Sequence, residues 1–133
     1  MPKLKILAID VGIMSGWFFT DGQKGEIKFK DPLQYYTEVK KLFILYKPTH
    51  FICCRPVRFP QIIAKHSKLI SLIELICYQQ GVIYFTSVID SEVKKKVLGA
   101  GNAKKTQIMD KYKEKSEHIA DAMMFEEYLR QVI

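Results

Sequence analysis

The segment Leu4-Lys5-Ile6-Leu7-Ala8-Ile9-Asp10-Val11-Gly12 constrains this chain more than any other. Residues 6 to 9 form a continuous apolar run, the pattern of a strand covered on both faces of its sheet. The run ends on a carboxylate. An unpaired Asp at the end of a core strand is costly unless a cation or ligand binds it. Gly12 permits a sharp turn, or close approach of a ligand, just after that carboxylate. Two readings stand on this pattern alone: a ligand-holding strand end, or a plain strand-to-turn transition. A second acidic cluster near the other end of the chain bears on the choice.

At 133 residues, one domain spanning 1–133 is expected, with room for a proper core. With 48% hydrophobic and 26% charged residues, the composition is that of a soluble globular protein. No apolar run approaches the roughly 18 residues of a membrane span. Met1-Pro2-Lys3 leads straight into the first strand, so neither a signal peptide nor a membrane partner is expected. Lys plus Arg is 21 against 14 Asp plus Glu, a net charge of +7. That excess favours a polyanionic partner, nucleic acid first and acidic membrane second; the plain alternative is a basic surface kept for solubility. The 3 cysteines show no CxxC spacing, which suggests a reducing cytoplasm and no structural zinc. Cys53 and Cys54 are adjacent in an apolar run and should point to opposite faces of a strand.

In chain order, Ser15–Thr20 reads as a second strand, Asp21-Gly22 as a turn, and Gly25–Lys30 as a third strand with period-two alternation. Asp31-Pro32 opens a helix, with Asp as N-cap and Pro at the first helical position, and Lys47-Pro48 stops it. His50–Cys54 is a short apolar fourth strand, parallel to the first. The loop Arg55–Pro60 leads into a helix over residues 61–80, which Gly81 ends. Val82–Phe85 is a fifth strand. From Ser91 to Leu98 the pattern is helical and basic, and Gly99–Asn102 is a loop. A short helix from Ala103 to about Lys113 and a last one from about Ser116 to Val132 follow. Three antiparallel strands followed by alternating helix and strand give an α/β fold. It is a five-stranded mixed sheet, three antiparallel then two parallel strands, with helices on both faces. That order is the ribonuclease H-like plan.

In the last helix His118 and Asp121 are three residues apart, so both project from one face of one turn. Aimed at the strand-end Asp10, they suit one or two divalent cations; oxygen ligands with one imidazole fit Mg²⁺ or Mn²⁺. Two such cations support phosphodiester hydrolysis. The plain alternative is a polar, solvated helix face.

The run Lys94-Lys95-Lys96-Val97-Leu98-Gly99-Ala100-Gly101-Asn102-Ala103-Lys104-Lys105-Thr106-Gln107-Ile108, followed by Glu117-His118-Ile119-Ala120-Asp121-Ala122, resembles the C-terminal half of the RuvC family of Holliday-junction resolvases. Ile9-Asp10-Val11-Gly12 is similar to that family's first catalytic strand, and the likeness covers nearly the whole chain in order and spacing. The resemblance implies that Asp10, His118 and Asp121 are metal ligands for two Mg²⁺ or Mn²⁺ ions per site. His118 stands where many members have Asp. It also implies that Lys105 acts near the scissile phosphate, and that Lys94, Lys104 and Asn102 contact DNA. The loop Gly99–Asn102 would bring backbone to a phosphate, aided by a helix N-terminus at Ala103. In the loop after the fourth strand, Arg55 and Arg58 supply cations. Phe59 is either an aromatic stacked on a base or a plug under the following helix. The implied partner is branched DNA, met by a homodimer in the cytoplasm of a bacterial or phage-infected cell; the small size is in the style of a phage-borne member.

One departure stands out. The family ends its fourth strand in a catalytic Glu, and Cys54 occupies that position here. A thiol is a poor ligand for a hard cation. On this reading the chain is a structure-selective endonuclease weakened at one ligand, cutting better in Mn²⁺ than in Mg²⁺ and improved by Cys54→Glu. The principal alternative is a junction-binding protein that does not cut. A third is a related nuclease with another substrate: the Gly99–Gln107 motif argues against an RNA–DNA hybrid and leaves replication forks open.

Overall fold

The computed structural model describes residues 4–57 and 59–133; Met1–Lys3 and the expected DNA contact Arg58 lie outside the described residues. Among them, β1 (Ile6–Asp10), β2 (Met14–Phe19) and β3 (Lys24–Lys28) form an antiparallel meander. Helix α1 (Pro32–Tyr46) crosses to β4 (His50–Cys54), and α2 (Pro60–Gln79) crosses to β5 (Tyr84–Val88). Three helices follow: α3 (Asp90–Leu98), α4 (Lys105–Tyr112) and α5 (Glu117–Val132). The sheet order is β3-β2-β1-β4-β5, with β1, β4 and β5 parallel. This is the expected mixed sheet, ribonuclease H-like in plan.

Local chemistry explains most boundaries. Asp31 caps α1 by accepting the Gln34 N–H at 2.8 Å, with Pro32 at the first helical position. Ser116 caps α5 by accepting the Ile119 N–H at 3.2 Å. Gly99, at φ 82°, ends α3 in the left-handed conformation that a side chain resists.

β1 is buried on both faces, as its unbroken apolar run predicts. Leu7 and Ile9 pack with Val39 and Phe43 of α1 and Ile73 of α2. Ile6 and Ala8 pack on the other face with Ala120, Met124 and Phe125 of α5. Strand alternation then puts Asp10 on the α5 side. The same alternation divides the cysteines: Cys53 belongs to the α1–α2 core, whereas Cys54 lies against the α5 core. Among the described residues no helix is long and apolar enough to cross a membrane.

Two boundaries differ from expectation in ways that matter. The fifth strand is Tyr84–Val88 rather than Val82–Phe85, because Val82 is tied to the end of α2 through Cys77 O at 3.0 Å. Pairing with β4 then continues through Thr86, Ser87 and Val88. The short helix starts at Lys105, not Ala103: Lys104 is the N-cap residue and its N–H is taken by Gln107 Oε1 at 2.7 Å. The helix N-terminus expected at Ala103 is therefore displaced to Lys105.

Candidate active site

The site is built where β1 ends and α5 begins. Asp10 is paired across the β1–β2 ladder with Gly16. A methyl group on Gly16 would collide with the backbone of His118 and Ile119, so the missing side chain lets the first turn of α5 lie directly on β2. A clamp from β3 holds that turn. Ser116 Oγ donates to Glu26 Oε2 at 3.1 Å, Glu114 Oε2 accepts the Ser116 N–H at 3.0 Å, and Lys24 pairs with Glu114.

In that position His118 Nδ1 lies 3.2 Å from Asp10 Oδ2, and its Nε2 lies 3.5 Å from Glu117 Oε1. Asp121, one turn on, lines the same cavity as Asp10 and feels its charge. The strand-end carboxylate and the two helix residues are thus brought together. Burial raises the Asp10 carboxyl above its ordinary range, with His118 pulling the other way. Burial, then the neighbouring Asp10 and Asp90, push Asp121 up to about 8. The bond to Asp10 raises the His118 imidazole.

That donor set suits a hard cation, which would relieve the repulsion between carboxylates. The expected three-ligand cluster of Asp10, His118 and Asp121 is nevertheless not assembled around one point. Among the described residues, no three His, Cys, Asp or Glu side chains are arranged to hold a metal ion. The reason is local: both ring nitrogens of His118 already face carboxylates, of Asp10 and Glu117.

A cavity of about 260 Å³ opens over the pair and is lined by Asp10, Cys54, His66, Asp90, Lys94, Lys105 and Asp121. Cys54 occupies the end of β4 beside Asp10. Burial, then Asp90 and Asp10, push its thiol up to about 12, so it carries no charge at neutral pH. Lys105 is exposed and lies 3.2 Å from Glu117. The Lys94 ammonium is paired with Asp90 Oδ2 at 2.7 Å. A second hollow, of about 520 Å³, continues from Cys54 past Arg55, Phe59, Lys94 and Asn102. Lys104 is exposed but lines neither hollow. Phe59 is 66% exposed, which excludes the plug under α2. Its φ of 61° is a conformation that aromatic residues rarely adopt.

Asp90, His66, Gly16 and Glu117 were not expected at the site. Asp90 carried a signal, being an acid just past a strand, but a fifth strand ending at Phe85 hid it. His66 projects from α2 toward Gly12, and burial lowers its imidazole; its place depends on helix packing that leaves no local trace.

The Thermus thermophilus RuvC structure superposes with a TM-score of 0.76 at 16% identity, covering 96% of each chain. The chain has the RuvC fold. T. thermophilus RuvC in complex with Holliday junction substrate gives a TM-score of 0.74 at 15% identity, over 92% of this chain and 90% of that one. The yeast mitochondrial Holliday junction resolvase gives 0.60 at 13% identity, over 96% of this chain and 79% of that one. No family model and no curated protein sequence matches the chain. The likeness to RuvC is therefore one of fold.

Proposed function

We propose that this chain is a structure-selective DNA endonuclease that binds four-way junctions as a homodimer and resolves them by divalent-cation-dependent phosphodiester hydrolysis. The observation that carries the reading is the meeting of Asp10 with His118 and Asp121 at the end of β1, on a RuvC fold. A RuvC of that fold is known in complex with Holliday junction substrate.

Asp10 and Asp121 would hold Mg²⁺ or Mn²⁺, two ions in the full site, and His118 would join them by giving up one of its carboxylate contacts. Such ions supply Lewis-acid polarisation of the phosphodiester and a nucleophilic water. Lys105, at the cavity mouth, places a positive charge beside the phosphate. Arg55, Asn102 and Phe59 line the adjoining hollow, where a strand leaving the site would pass. The net charge of +7 draws the polyanion. A two-fold protein suits a two-fold junction, because each site then meets its own strand.

Binding of a synthetic four-way junction and of linear duplex across a salt series tests the substrate class. Junction affinity should fall with salt by a log–log slope of about 0.9 per phosphate contacted, and should exceed duplex affinity at moderate salt. Equal affinity for the two would defeat the reading. A second reading, a junction binder that does not cut, is favoured by the uncharged Cys54 at the end of β4.

A further inference from the structure

We infer that Asp90 supplies the third carboxylate of the cation site, in place of the acid that Cys54 lacks. The inference rests on the metal-dependent nuclease reading and names one more ligand of that same site.

The argument starts from strand register. Cys54 ends β4 and is paired with Val88 of the parallel neighbour β5. The Arg55 N–H donates to Val88 O at 2.8 Å, so the two strands stay together to their ends. Asp90 comes two residues after Val88, as the first residue of α3, and its backbone N–H points at the Cys54 sulfur. The carboxylate therefore opens from the next strand end, beside the place where a longer acidic side chain on β4 would reach. It lines the same cavity as Asp10 and Asp121.

A cation is already present in this arrangement. The Lys94 ammonium lies 2.7 Å from Asp90 Oδ2, is only 18% exposed, and also acts on Asp121. Asp90, Lys94 and Asp121 line one cavity, and the ammonium offsets part of the repulsion that raises the Asp121 carboxyl. An ordinary i,i+4 helix pair on a solvated face would not line a cavity with two further acids. With a divalent ion on Asp90, Lys94 becomes free for a phosphate.

Calorimetric titration of the full chain with Mn²⁺, in the absence of DNA, tests the inference. Asp10→Asn serves as the control for the site itself. Asp90→Asn should weaken Mn²⁺ binding by about tenfold or more, since affinity follows the count of anionic ligands. Lys94→Gln should tighten it by removing a competing cation. Cys54→Glu added to Asp90→Asn should restore it, which also shows that the double variant folds. If Asp10→Asn loses Mn²⁺ while Asp90→Asn binds like the parent, Asp90 is no ligand and the site reading survives. If Asp90→Asn and Lys94→Gln weaken binding equally, Asp90 merely anchors Lys94 and the inference is overturned. If the parent binds no Mn²⁺, the nuclease reading falls and this inference with it.

Discussion

The backbone of His118 rests on Gly16, the residue paired with Asp10 across the sheet. That contact lets a side chain from the last helix reach a carboxylate on the first strand. Gly16→Ala should force α5 off β2. Overpacking of this kind costs about 1–3 kcal/mol, and here the strain falls on backbone, which cannot rotate away. Thermal unfolding should show the loss of stability. Junction cleavage should fall further than stability accounts for, because the Asp10–His118 contact opens.

The cation-free protein should lose stability as pH rises from about 4 to about 8. Asp121 is pushed up to about 8 from an ordinary 3.8, so the folded state keeps a proton that the unfolded chain releases. Stability from a raised acid is full below the unfolded value and declines until the folded value is reached. The raised His118 imidazole acts in the same direction, at its upper end. Melting temperatures measured with a chelator across that window should fall, and Mn²⁺ should flatten the slope. A flat cation-free profile would show that folding does not raise the Asp121 carboxyl.

Much of this site is legible in the sequence because its parts sit on strongly patterned elements. The apolar run of β1 marks Asp10, and the three-residue spacing on α5 marks His118 and Asp121. The rest depends on tertiary contact. Gly16 looks like any strand glycine until α5 crosses it. β5 is a half-buried edge strand, and its Thr86-Ser87 segment carries no apolar alternation. Its end, and so the placing of Asp90, is invisible to periodicity. Lys94 reads as a DNA contact from its motif, whereas the fold gives it a carboxylate partner.

Lys105 should act on chemistry more than on binding. It is exposed at the cavity mouth and, among the described residues, paired only with Glu117. Lys105→Ala should slow cutting by about 10²-fold, the usual effect of removing one preorganised positive or hydrogen-bonding group. Junction affinity should change by no more than one phosphate contact, about 0.9 in the salt slope. Single-turnover cleavage and equilibrium binding on the same junction separate the two effects.

Phe59 should matter for DNA and cost the folded protein stability. Its exposed ring and left-handed backbone bring no folding advantage. Phe59→Gly should stabilise the chain by about 1 kcal/mol by relieving that conformation. The same change should weaken junction binding by about 1–3 kcal/mol, the worth of one base stacked on an aromatic ring. Denaturant melts and junction titrations of this one variant should therefore move in opposite directions.

The most direct test is cleavage of a synthetic four-way junction by the chain and by Asp10→Asn, in Mg²⁺ and in Mn²⁺. The account predicts paired, symmetry-related cuts in strands of like polarity, at least in Mn²⁺, lost in Asp10→Asn while junction binding persists. Tight junction binding with no cut in either cation would contradict it and leave the non-cleaving binder.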